Sequence, residues 1–183
     1  MRGGVSCGVG IIGAGATMSE FPVIATFITT DSHRENFSKG GLADEWARVY
    51  PMLFDAKDIQ IARNQKHMGY HYYEWIAAIL LYHTKGLLSL VEQYAYKSHK
   101  RKRRVLESLM SDDVLNFIAK AGISSATQCP DLLVYSPDRS NWFFCEVKGP
   151  HDKLRESQIK YFHDLSQVSG KEVKIVRFQN PKK

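Results

Sequence analysis

The spacing of apolar positions changes character after Gly122, from a helical period to a strand period. Before that point, Tyr70 to His83 holds Trp75, Ile76, Ala77, Ala78, Ile79, Leu80 and Leu81, a run apolar nearly all round, as in a helix buried on several sides. Gly86 is placed to end or bend it. Two more helices are expected, from Leu87 to Tyr96 and from about Arg103 to Ala121. In the second, Val105, Leu106, Leu109, Val114, Phe117 and Ile118 recur at helical intervals and Gly122 closes the run. After Gly122, Asp131 to Ser136 (DLLVYS) and Asn141 to Gly149 (NWFFCEVKG) flank Pro137-Asp138-Arg139-Ser140, and this turn chemistry makes the pair a hairpin. An amphipathic helix from about Asp152 to Val168 follows, burying Leu154, Ile159, Tyr161, Phe162 and Leu165 and ending at Gly170. Glu172 to Phe178 then alternates as a third strand, so the order is helices, β, β, α, β.

The front of the chain is less patterned. Phe21 to Thr29 (FPVIATFIT) is β-branched and aromatic and reads as a short strand or extended packing segment. Thr30 to Gly41 reads as a loop. Leu42 to Tyr50 reads as a short helix with Ala43, Trp46, Ala47 and Tyr50 on one face, stopping before Pro51. Residues 1–17 are Gly-rich with Arg2 as their one charge, and are expected to be a disordered tail. The expected organisation is this tail, an extension over residues 18–69 packed on the core, and a main domain over residues 70–183.

Composition narrows the function classes. With 183 residues, 44% of them hydrophobic and 24% charged, the chain has material for a core and is not disordered throughout. No apolar run approaches the roughly 20 residues of a membrane-spanning helix, so no membrane partner is expected. The single Arg2 and a glycine-diluted apolar stretch argue against a signal peptide, and Met18 is an alternative start. Three cysteines, Cys7, Cys129 and Cys145, without CxxC spacing, exclude a disulfide scaffold and a zinc ribbon and fit a reducing, cytoplasmic setting. Gly8, Gly10 and Gly13 spell GxGxxG, but no strand precedes them and Pro22 breaks any following helix, which removes a dinucleotide site. The formal net charge of +6 leans toward an anionic partner.

The hairpin carries the chemistry. Folding back about the bond between Asp138 and Arg139 sets Asp131 opposite Glu146 on one face of the sheet. Like charges so opposed are destabilising unless a cation lies between them. Hard divalent ions such as Mg²⁺ take carboxylate and carbonyl oxygens, so Asp131, Glu146 and the Val147 carbonyl form a candidate metal site with Lys148 beside it. Such a site can polarise a phosphodiester and activate water, with Lys148 orienting that water or neutralising charge. Spacing alone equally fits a hairpin ending in two solvated acids with Lys148 on the surface.

Cys129-Pro130-Asp131 before an apolar strand, then Glu146-Val147-Lys148-Gly149-Pro150, then Asp152-Lys153-Leu154 and Gln158 on the next helix, together resemble the VRR-NUC branch of the PD-(D/E)XK nucleases, over roughly Tyr70 to Phe178. The resemblance implies a restriction-endonuclease-like αββαβ core, a mixed sheet flanked by helices, here with a helical N-terminal extension. It also implies an Mg²⁺- or Mn²⁺-dependent nuclease acting on DNA, with Asp131, Glu146 and Lys148 as its active site and Gln158 in support. The family carries a further glutamate on an earlier core helix. Glu74 is the candidate, because it interrupts the most apolar helix, where a charge is costly unless paired; an interaction with the helix dipole would also account for it, and Glu92 is the alternative. Cys129 stands where the family has glycine.

Lys97, Lys100, Arg101, Lys102, Arg103 and Arg104 form a basic block without an acid. It fits a solvated helix end, or a patch that supplies salt-sensitive, sequence-independent affinity for DNA. His151 and Lys153, in the loop after the hairpin, are further candidate phosphate contacts. His67 and His71, four residues apart, read as exposed or aromatic-packed rather than metal-binding, and Cys145 faces the core. The function expected is a nuclease selective for flaps or junctions in DNA repair, recombination or replication, with a possible homodimer for cutting two strands. A restriction-type endonuclease and a non-catalytic DNA-binding or partner-binding domain are the alternatives.

Overall fold

A computed structural model describes residues 21–64, 68–91, 94, 99–121 and 129–181. Its centre is one mixed five-stranded sheet in the order β1-β5-β4-β3-β2, formed by β1 (Val23–Ile28), β2 (Leu88–Leu90), β3 (Leu132–Tyr135), β4 (Trp142–Lys148) and β5 (Val173–Gln179). β2, β3 and β4 are antiparallel neighbours, whereas β5 runs parallel to both β4 and β1. The α/β class, the αββαβ order and the mixed sheet flanked by helices are as the sequence implies.

The hairpin register is the predicted one, with Leu132 opposite Cys145 and Tyr135 opposite Trp142. Because side chains alternate across a strand, the two faces of the sheet seed two cores. On one face Leu133, Phe144 and Ile175 pack with Leu106, Ile118, Phe162 and Leu165 from α5 (Lys100–Leu109), α6 (Asp112–Ala121) and α7 (Glu156–Ser169). On the other, Leu132, Val134, Cys145 and Val176 meet Trp75, Ala78 and Leu81 of α4 (Tyr72–Lys85). That second core is closed by Phe37, Ala43 and Ala62 from α1 (Asp31–Ser38), α2 (Gly41–Val49) and α3 (Ala56–Arg63). Gly86 and Gly170, both at positive φ, cap α4 and α7 as expected.

The structure departs from the sequence reading at several elements. Residues 31–38 are helix rather than loop: the segment is polar, but Phe37 is fully buried against Trp46, Tyr72 and Trp75 and anchors it. Leu88–Leu90 is an edge strand on β3, not the start of a helix, because ladder pairing decides a short apolar run whose period is ambiguous. The long helix expected to Ala121 is two: Met110 is extended, and Ser111 accepts from the Leu115 N–H ahead of Asp112 and Asp113, whose charges suit a helix start. α7 begins at Glu156, after a loop tied by Asp152. β1 is hydrogen-bonded into the main sheet beside β5. No described helix is long and apolar enough to cross a membrane. Residues 1–17, His67, Glu92, Lys97 and Gly122 lie outside the described residues.

Candidate active site

Glu146 and Lys148 stand two residues apart on β4 and share the face covered by α7. Asp131 precedes the first ladder pair of the hairpin, where its Oδ2 accepts the Val147 N–H at 2.7 Å and so sits beside Glu146. Lys148 Nζ lies 2.7 Å from Glu146 Oε1 and donates to Gln158 Oε1 at 3.2 Å. The Gln158 amide nitrogen donates to the same Glu146 oxygen at 2.7 Å. Its carbonyl oxygen also takes the Arg155 N–H at the start of α7. With two donors on one end and an acceptor on the other, the amide has one orientation. Glu146, Lys148 and Gln158 form a closed, buried triangle at 2%, 7% and 6% exposure.

This triangle forms one wall of a cleft of about 350 Å³. Glu74, in the first turn of α4, lines it with Asp131 and has His71 Nδ1 3.3 Å from its carboxylate. Tyr70, Tyr73, Asp152, Lys153 and Arg155 complete the lining. Where β4 leaves the sheet, a Cβ on Gly149 would fall 2.9 Å from Asp152 Oδ2 and 3.1 Å from the Tyr73 ring. Glycine therefore lets the chain pass between them, and Asp152 accepts the Gly149 N–H at 3.0 Å.

The carboxylates are held against their preference. Burial, followed by the Glu146 and Glu74 charges, pushes the Asp131 carboxyl well above the usual range, against the pull of the Val147 N–H and Lys148. Burial also raises Glu146, opposed by Lys148 and Gln158 and reinforced by Glu74. Glu146 Oε2 is buried without a hydrogen-bond partner. Three carboxylates, one with an orphaned oxygen, make a hard-oxygen donor set suited to Mg²⁺ or Mn²⁺.

Around pH 4 and above, the unfolded chain releases the Asp131 proton before the native one does, so the native state binds more protons and its stability falls as pH rises through that window. Asp131→Asn keeps an acceptor for the Val147 N–H and removes the titration. In EDTA at pH 8 the variant should be more stable than the parent by on the order of 1 kcal/mol, with the gap closing below the ordinary aspartate range. Thermal melts at the two pH values check this; a variant less stable at pH 8 would refute it.

Residues 70–178 match the family model described as the VRR-NUC domain. The chain belongs to the VRR-NUC family. No curated protein matches it. Among solved structures, paFAN1 bound to 2nt 5'-flap DNA with gap is similar at 15% identity and a TM-score of 0.38, over 84% of this chain and 26% of that one. The chain thus spans about a quarter of that relative's length.

The VRR-NUC domain brings Glu74, Asp131, Glu146, Val147, Lys148, Lys153 and Gln158 to one cleft. His151 is exposed and is not among the cleft-lining residues. Sequence reasoning missed Tyr70, Tyr73 and Arg155; the spacing of both tyrosines from Glu74, on the turn entering α4, was the available signal. The basic block needs the largest correction. Lys102 is fully buried, bonded to the Val91 carbonyl and to Asp58. Arg101 is bound at 2.9 Å to Asp55 and 2.7 Å to Asp58, and Arg103 at 2.6 Å to Glu107. Burial and acid partners therefore take Lys102 and Arg101 out of a DNA-facing patch, while Lys100 and Arg104 remain exposed.

Asp55, Asp58 and His99 cluster with ligand atoms within 4.8 Å of one another, a spacing that could hold a metal. Three of the four carboxylate oxygens accept hydrogen bonds, and the fourth, Asp58 Oδ1, has no hydrogen-bond partner but is ion-paired with Lys102. Asp55 takes the Lys57 and Asp58 N–H groups and Arg101; Asp58 takes the Asp55 N–H, Arg101 and Lys102. Burial and the Lys102 charge hold His99 below its ordinary value. The group is internally balanced by two cations and ties α3 to α5.

Proposed function

We propose that this VRR-NUC chain is a metal-dependent DNA nuclease, hydrolysing phosphodiester bonds and selecting flap or junction structures in repair, recombination or replication. The observation that carries this reading is the meeting of Glu74, Asp131 and Glu146 with Lys148 in one cleft. Asp131 and Glu146 would hold Mg²⁺ or Mn²⁺, with Glu74 and the Val147 carbonyl at its margin. A bound divalent ion polarises the phosphodiester and lowers the pKa of the attacking water. Lys148 brings a compact positive charge to neutralise the negative charge that builds on phosphate oxygens. Gln158 keeps Lys148 and Glu146 in register, and the Val147 N–H fixes Asp131. A module that only bound DNA would gain nothing from buried carboxylates that repel phosphate.

Selection by structure is supported by the chemistry of the mouth, where Lys153 and Arg155 offer phosphate contacts that carry no base information. The test is cleavage of labelled single-stranded, duplex, flap and four-way-junction DNA in Mg²⁺, Mn²⁺ or EDTA. Cutting is expected with either metal and not in EDTA, fastest on flaps or junctions. Folded protein that binds these DNAs and cuts none of them under any metal would overturn the reading. Cutting both strands of a junction calls for a second copy of the site, which the mass of the DNA complex tests.

A further inference from the structure

Arg101 and Lys102 are held in an internal cluster, so the cations that line the cleft are Lys148, Lys153 and Arg155. The sheet supplies a row. Lys148 on β4 is paired with Arg177 on β5, and Arg177 with Thr26 on β1. All three lie on the α7 face: Glu146 pairs with Ile175, which belongs to the α7-side core, while Val147 pairs with Val176, which belongs to the α4-side core, and side chains alternate. α7 covers this face only in part. Val173 and Ile175 are buried beneath it, but the strand ends next to its first turn are open: Thr26 and Gln179 are exposed and Ile28 is 59% exposed.

We propose that Arg177 is a phosphate-binding residue and that the row Lys148, Arg177, Thr26 forms a subsite for the DNA backbone beside the bond to be cut; the proposal rests on the nuclease reading above. Neighbouring strands lie about 4.8 Å apart, so an arginine on β5 reaches a phosphate next to one held at Lys148. Lys148 is committed to Glu146 and Gln158. Arg177 is half-buried, and none of the described ion pairs or hydrogen bonds engages it, whereas Arg63, Arg101 and Arg103 are each bound to acids. Its stem is fixed by the strand while its planar fork of N–H donors, which matches a phosphate's two oxygens, is still available. Thr26 adds a hydroxyl at the edge of the row.

Fluorescence anisotropy with a labelled 5'-flap DNA in EDTA, over about 50 to 300 mM salt, separates this subsite from catalysis. Each phosphate contact contributes about one unit to the slope of log affinity against log salt. Arg177→Gln should lower that slope by about one and weaken binding about 3- to 10-fold near 100 mM salt. Arg177→Lys should restore the slope, and Thr26→Glu, at an exposed position that disturbs no core, should weaken binding through a carboxylate placed in the row. Under cleavage conditions Arg177→Gln should raise KM with kcat nearly unchanged. Arg177→Gln and Thr26→Glu that both bind with the parent's affinity and slope would overturn the proposal. Parent protein that cuts nothing, with the slope loss still present, would refute the nuclease reading and leave the phosphate row standing.

Discussion

Replacing Lys148 with methionine is expected to reduce metal-dependent cleavage at least about 10²-fold, and up to about 10⁴-fold, the usual contribution of a positioned charged or proton-transferring group. Methionine retains most of the stem volume, so the deficit belongs to the ammonium. That ammonium is paired with Glu146 at 2.7 Å, and it bridges β4 to α7 through Gln158. The readout is single-turnover cleavage of the best flap or junction substrate, beside circular dichroism and a melt to show that the variant is folded. Binding in EDTA should be weakened far less than cleavage, because other phosphate contacts remain. Gln158→Ala should be milder, since it loosens Glu146 and Lys148 without removing either charge. A folded Lys148→Met protein that cuts at the parent's rate would remove the catalytic role of the triangle.

The local parts of this site were legible because local rules determine them. A four-residue turn fixes hairpin register, and with Leu132 opposite Cys145 the approach of Asp131 to Glu146 follows from strand geometry alone. Gln158 sits in the first turn of α7, so its return to β4 depends only on the helix packing back on the strand it follows. Glu74 reaches the same cleft from a helix far away in sequence, and its signal was energetic: a carboxylate in an apolar helix has to be answered by something. Arg177 carried no such signal. Alternation alone leaves a charged residue in a half-buried strand facing either way, and its value as a neighbour of Lys148 arises only from the parallel β4–β5 register.

What sequence misjudged were features decided by remote partners. The parallel pairing of β1 with β5 joins segments from opposite ends of the chain, and nothing within FPVIATFIT records which strand it will meet. The basic block is the sharper case. Composition shows only that cations are concentrated there; the acids that neutralise Arg101 and Lys102 are supplied by Asp55 and Asp58, far earlier in the chain. Two of the block's charges thus serve the fold, while the cations at the cleft, Lys148, Lys153 and Arg155, lie among ordinary neighbours on β4 and the loop before α7.

Asp58→Ala is expected to be the most destabilising single substitution outside the apolar core. Asp58 and Lys102 are both fully buried, and the carboxylate answers Lys102, Arg101 and the Asp55 N–H at once. Removing it strands a buried ammonium and takes away the acceptor for the Asp55 N–H in the α3 capping box, and breaking one partner of a buried pair costs about 3–5 kcal/mol. For a chain of this size the melting temperature should fall on the order of 10 °C. Lys102→Met tests the same pair from the other side, and the double variant should be less destabilised than the two singles summed, because each single leaves an uncompensated charge that the double does not. Folded Lys102→Met should bind DNA with the parent's salt slope. A reduced slope, with the melt unchanged, would return Lys102 to the DNA-facing surface and refute the assignment of Asp55, Asp58 and His99 to an internal charge cluster.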